Sequence, residues 1–242
     1  MKRTAVILGM GGLGCPAALL LCEEAREAGV PLRLILVDDD RVEPSNLSRQ
    51  ILFRAADVGA RKVEVASSRL ARFAPLVEVV ARPIRFDAAT SATLLRGADV
   101  VLDGTDSFET RFAVNDACCA ASVPLVHGAV LGWSGHLLTV LPRLGSCLRC
   151  LFEGPPPPGS VPACSEAGVA TPLCGVVGSA MAAEAARILR DLPPRAPGRL
   201  LVWEGAPGRR REISVPPDPA CPACGAPARA ERHPSPGGIP CP

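Results

Sequence analysis

Thr4-Ala5-Val6-Ile7-Leu8-Gly9-Met10-Gly11-Gly12-Leu13-Gly14 passes from a short apolar run straight into a glycine-rich loop. Residues 4–8 read as a strand buried on both faces, since the run hardly alternates. A helix is expected over 13–28, ending near Gly29. Residues 32–37 (LRLILV) read as a second strand, closed by Asp38-Asp39-Asp40. Strand, glycine loop, helix and strand make one βαβ unit, the setting that a G-x-G-x-x-G loop needs. Gly9 permits the tight turn, Gly11 lets a ligand approach the backbone, and Gly14 lets helix and strand pack closely. The helix N-terminus offers unpaired N–H groups to an anion. Asp38, 24 residues after Gly14, is placed to accept hydrogen bonds from ribose hydroxyls. On these residues alone a nicotinamide dinucleotide leads, and a glycine turn without ligand is the plain alternative.

Outward from this unit, the pattern predicts a short helix over 46–53 behind Ser45 and a longer one from Gly59 to about Phe73. A strand over 76–81, a helix over 87–96 capped by Asp87, and a buried strand over 99–103 follow. Gly104-Thr105-Asp106 then turns into a helix over 107–121, with strands at 124–130 and 136–141. No regular element is expected from Pro142 to Pro172, a stretch that includes the stiff run Pro155 to Pro158. A helix over 173–191 and strands near 199–204 and 211–215 close the order. Residues 225–242 are rich in Pro, Gly and Ala and are expected to be disordered, leaving 1–224 as the domain. The expected fold class is α/β: a Rossmann-like open, mostly parallel sheet wrapped by helices.

The 242 residues suffice for a full core without disulfides. A net charge of +2 gives no strong field, so neither nucleic acid nor a membrane surface is an expected partner. No stretch of 18 uninterrupted apolar residues occurs, and Met1-Lys2-Arg3 leads into a strand without a leader pattern. Eleven cysteines in such a chain suit metal ligands, nucleophiles and buried thiols of a reducing compartment. A cytoplasmic location is therefore expected.

Four further constellations carry chemistry. In Ser45-Asn46-Leu47-Ser48-Arg49-Gln50, Asn46 and Arg49 share a helical face, and the fork of Arg49 suits phosphate oxygens. The plain alternative is a solvated face. Lys62 is the single internal lysine of a chain that otherwise uses arginine. It falls in the first turn of a helix, where a cation is disfavoured unless a polyanion lies nearby. Asp106, past the carboxyl end of a strand, suits Mg²⁺ or the cap of the following helix. Cys147-Leu-Arg-Cys150 and Cys221-Pro-Ala-Cys224 supply four thiolates for a closed, structural zinc site. The 70 residues between the pairs make it a staple on the C-terminal tail rather than a local finger. Two separate redox pairs are the alternative.

In this order and spacing, the glycine loop, S-N-L-x-R-Q, Asp57-Val58-Gly59 with Lys62, the T-D turn and both C-x-x-C pairs resemble the ThiF/MoeB/HesA family. These proteins are akin to the adenylation domain of ubiquitin-activating enzymes, and the resemblance runs from about Thr4 to Cys224. It implies an adenylyltransferase that uses ATP, Mg and Zn. Its substrate would be the C-terminal carboxylate of a small ubiquitin-like sulfur carrier ending in Gly-Gly. It further implies that Gly9, Gly11, Gly12 and Gly14 line the nucleotide and that Asp38 takes the ribose. Asn46, Arg49 and Lys62 would hold the triphosphate, and Asp106 the magnesium. Cys164, in the loop before Glu166 (SEAGVATPLCG), matches a position where some relatives carry thioester or persulfide chemistry. Cys174 is the weaker thiol, expected in helix packing. A homodimer is implied as well. The family pattern opens with an arginine-bearing segment ahead of the first strand and often has Asn where this sequence has Ser107. Another carboxylate substrate, or a nucleotide-binding homologue without catalysis, remains an open alternative.

Overall fold

The structure is a computed structural model that describes residues 2–73, 75–157, 160, 168–195 and 197–225. Its strands are β1 (Arg3–Leu8), β2 (Leu32–Val37), β3 (Val77–Arg82), β4 (Val100–Asp103), β5 (Leu125–Leu131), β6 (Ser134–Val140), β7 (Arg199–Glu204) and β8 (Arg209–Ser214). Its helices are α1 (Gly14–Ala28), α2 (Lys62–Leu70), α3 (Ala88–Leu95), α4 (Phe108–Ala121), the single turn α5 (Leu148–Leu151), and α6 (Thr171–Leu189).

One sheet runs β3-β2-β1-β4-β5-β6-β7-β8. The first five strands are parallel, and β6, β7 and β8 add on antiparallel. The strand order reverses between β1 and β4, which makes their carboxyl ends the switch point where α/β sheets bind ligands. Register sharpens this: Leu8 pairs with Val37 on one side and Asp103 on the other, so three loops leave the sheet side by side.

The apolar run of β1 is explained by burial on both faces. Ala5 and Ile7 join the core beneath α1, α2 and α6, while Val6 and Leu8 join the core beneath α3 and α4. Helix α6 is long and apolar enough to cross a membrane, yet more than half of it is buried inside the protein. Its Gly178 lets it meet α1, because a Cβ there would stand 2.6 Å from Pro16 Cγ and 2.7 Å from the Leu13 carbonyl.

Three elements differ from the sequence reading. Residues 46–53 form no α-helix; Pro44–Asn46 is a 3₁₀ turn followed by further turns. The segment is held from outside, since Arg69 of α2 donates to the Leu52 carbonyl and pairs with Asp57. The helix expected from Gly59 begins at Lys62 and tightens into a 3₁₀ turn over Ala71–Phe73. The expectation of an irregular stretch from Pro142 missed α5, one turn carrying the first cysteine pair. Cys164, Glu166 and residues 226–242 lie outside the described residues.

Candidate nucleotide site and metal centre

Gly9 has φ +85°, a conformation that disfavours side chains, and a Cβ there would sit 3.0 Å from the Gly104 carbonyl. The first loop therefore packs backbone to backbone on the turn after β4. A Cβ on Gly14 would fall 1.9 Å from the Gly9 carbonyl, so α1 can follow the turn only with glycine at its first position. Gly11 faces open space, with nothing within 4 Å of a Cβ. The N-cap position of α1 is Leu13, and no side chain caps the helix. Among its leading positions Cys15 donates to the Gly11 carbonyl at 3.1 Å and Pro16 has no N–H, which leaves the N–H groups of Leu13 and Gly14 to an anion, beside a glycine that leaves room for one.

Two charged segments meet this loop. The Asp38 carboxylate accepts from the Met10 N–H at 2.6 Å and the Asp40 N–H at 2.8 Å. Burial pushes the Asp38 carboxyl above the ordinary range, and Lys62 is the leading influence against it. The side chain of Arg49 lies 3.4 Å from a Cβ on Gly12, with the Cys174 sulfur 3.0 Å away on another side. Arg49 donates to Asn46 Oδ1 at 2.6 Å and to the Ser45 carbonyl at 3.3 Å. Asn46 and Arg49 therefore meet, as the spacing suggested, although the backbone between them is a turn. Asn46 orients the guanidinium.

Lys62 is the first residue of α2 and only 5% exposed. Its Nζ donates to Asp40 Oδ2 at 2.7 Å, and its N–H to the Asp40 carbonyl at 3.1 Å. Asp106 is exposed, and among the described residues nothing pairs with its carboxylate. The cap of α4 is Ser107, whose Oγ accepts from the Thr110 N–H at 3.3 Å. Asp106 is thereby left available. Sequence reasoning missed Asp40 as the partner of Lys62 and missed Gln50, 3% exposed with an unpartnered Oε1. The acidic run was visible, but which of its members turns toward α2 is a tertiary fact. Open space at Gly11, uncapped N–H groups, an oriented guanidinium and a free carboxylate together fit a nucleoside triphosphate with a divalent cation.

The four cysteines converge at the opposite end of α4. Cys147 and Cys221 sulfurs are 3.6 Å apart, Cys150 and Cys224 sulfurs 3.4 Å, and all four lie within 4.8 Å of one another. A tetrahedral zinc with bonds near 2.3 Å separates its sulfurs by about 3.8 Å, so the cluster fits that ion. None of the four forms a disulfide. Helix α4 supports them: Cys119 and Asn115 hydrogen-bond Cys147, holding its thiol below the ordinary range. Asn115 Oδ1 also accepts from the Leu148 N–H at 2.9 Å. Arg149 pairs with Asp116 through two bonds, at 2.7 and 2.8 Å. Gly225 closes the knuckle by donating to the Cys221 carbonyl at 2.8 Å.

A doubly wound sheet with a phosphate-ready loop at its switch point defines a nucleotide-binding α/β protein, here one that also carries a four-cysteine staple. The family model of the ThiF family matches residues 2–223, and the chain belongs to that family. It is 43% identical over 229 residues to a sulfur carrier protein adenylyltransferase of Thermus thermophilus, covering 93% of this chain and 83% of that one. It is 40% identical to a SAMP-activating enzyme E1 of Haloferax volcanii, covering 93% and 81%. In structure it resembles E. coli MccB solved with AMPCPP and MccA, with TM-score 0.77 and 21% identity over 92% of this chain and 67% of that one. That last likeness speaks for the fold.

Proposed function

We propose that this chain is an ATP-dependent adenylyltransferase that activates the C-terminal carboxylate of a small ubiquitin-like sulfur carrier ending in Gly-Gly. The observation that carries the reading is the convergence on one glycine loop of Asp38, Arg49 and the turn bearing Asp106. The relatives named for sulfur-carrier and SAMP activation support the substrate class.

In this reading Gly9, Gly11, Gly12 and Gly14 with the α1 N-terminus receive the phosphates, and Asp38 receives the ribose. Asn46 aims Arg49 at phosphate oxygens. Lys62 adds a charge that reaches the site by exchanging Asp40 for phosphate. Asp106 takes a magnesium ion, which supplies positive charge to the phosphates. The carrier carboxylate is ionised at neutral pH, so its attack needs no general base. A bond forms between a carboxylate oxygen and the α-phosphorus, the bond to the bridging oxygen breaks, and pyrophosphate leaves. The obstacle is anion meeting anion, and Arg49 and Lys62 lower it electrostatically. Cys147, Cys150, Cys221 and Cys224 hold a structural zinc that ties the tail to α4. Cys164 is the thiol we assign to any later acyl or sulfur transfer. Residues 1–224 form the catalytic domain, in the cytoplasm and as a homodimer.

The test is ATP–pyrophosphate exchange with a panel of Gly-Gly carriers. Exchange should require a carrier and fall at least about tenfold in Asp106→Ala. Absence of exchange with every carrier, or unchanged exchange in Asp106→Ala, would reject the assignment.

A further inference from the structure

Behind the Asp106 turn lies a polar pair that the apolar sheet does not require. Asp103, the last residue of β4, is 0% exposed, and His127 of β5 is 1% exposed. His127 Nδ1 meets Asp103 Oδ2 at 2.8 Å. The other oxygen, Oδ1, accepts from the Thr105 N–H at 3.0 Å and the Thr105 hydroxyl at 2.7 Å. Burial pushes this carboxyl up, but the bonds from His127 and Thr105 outweigh it and hold it below the ordinary range. From the far side, buried Arg111 of α4 donates Nε to the Thr105 carbonyl at 2.9 Å. Thr105 is thus gripped at its N–H, its hydroxyl and its carbonyl, one residue before Asp106.

A buried hydrogen-bonded pair is often no more stabilising than apolar residues of the same shape. Its use here lies in shape. Gly104 is pinned on the other side, donating to the Leu8 carbonyl at 3.0 Å while its own carbonyl touches Gly9. The backbone leading to Asp106 is thus tied to the sheet, to the glycine loop and to α4.

We infer that His127 is a positioning residue for Asp106: through Asp103 it fixes the turn Gly104-Thr105-Asp106 in the form that presents the Asp106 carboxylate to a metal–nucleotide complex. This rests on the reading of Asp106 as the magnesium-facing carboxylate. His127 itself touches neither metal nor nucleotide. It completes the hydrogen bonding of Asp103, so that both Asp103 oxygens have fixed directions.

The experiment is calorimetric titration of the full chain with ATP, once with MgCl₂ and once with EDTA, for wild type, His127→Ala and His127→Asn. Asparagine places an amide nitrogen near the position of Nδ1. The expected result is a loss of about tenfold or more in the magnesium-dependent gain of ATP affinity for His127→Ala. Affinity in EDTA should be unchanged, and His127→Asn should restore most of the gain. Equal losses with and without magnesium, or no loss, would overturn the inference. Thr105→Val removes one grip without opening the core, and it should give the same magnesium-selective signature if His127→Ala does not fold. A wild type that binds no ATP at all would instead sink the nucleotide reading, so the two failures are distinct.

Discussion

Replacing Lys62 by methionine separates a functional cation from a structural one. Lys62 is buried with a side chain 6% exposed, but its partner Asp40 is 67% exposed. When the ammonium is removed, Asp40 rehydrates in place, and a methionine of similar length fills the slot. Buried charges exchanged for apolar groups are often neutral in stability, and the exposed partner lowers the worth of the pair further. The expected stability change is within about 1 kcal/mol, or roughly 2–4 °C in Tm for a chain of this size. A charge-assisted bond to a phosphate is worth about 1.5–3 kcal/mol. At 1.36 kcal/mol per decade this predicts a loss of about 10- to 150-fold in exchange activity. A second consequence follows from Asp38, whose carboxyl burial raises and Lys62 lowers. Without Lys62 it rises further, so the acid limb of the activity profile should move to higher pH. The assays are ATP–pyrophosphate exchange across pH and thermal unfolding on the same preparations. Unchanged activity would refute the reasoning. So would a collapse of Tm matching the loss of activity, since Lys62 would then be a strut of the fold.

Metal analysis should find about one zinc per chain, and Cys221→Ser or chelation should remove it. Tm should then fall on the order of 10 °C, with protease cuts appearing between Val215 and Gly225; a metal-free, fully stable chain would exclude the staple. His136 is held down to about 3, from an ordinary 6.5, by burial and then by His127 and Arg111. Its folded pKa lies below the unfolded one, so its contribution is complete above pH 6.5 and is lost as pH falls from 6.5 toward 3. Urea midpoints should therefore decline on acidification by at most about 1.4 kcal/mol per pH unit from this group. His136→Gln should flatten the slope, and an identical slope in both proteins would show that another group is responsible.

Local pattern carried the βαβ unit unaided. Residues 32–37 are a strand as read, Asp87 caps its helix through the Thr90 N–H, and the glycine loop lies between strand and helix. Periodicity, caps and glycine signals act over a few residues, which is why they are legible in one dimension. The candidate site was legible in part for a different reason: charges placed where a lone fold has no use for them, such as Lys62 at a helix start. The failure at 46–53 is instructive, because there the shape is imposed by Arg69 from a later helix and not by local preference.

The sequence by itself determined the doubly wound class, the glycine loop and the two cysteine pairs, since each is written in spacing along the chain. Only the tertiary structure decided that Asp40 rather than Asp39 pairs with Lys62, that Ser107 caps α4 and leaves Asp106 free, and that His127 stands opposite Asp103 on the neighbouring strand. Those choices depend on sheet register and on which side chains burial brings within bonding distance, and neither quantity is expressed between neighbours in the chain.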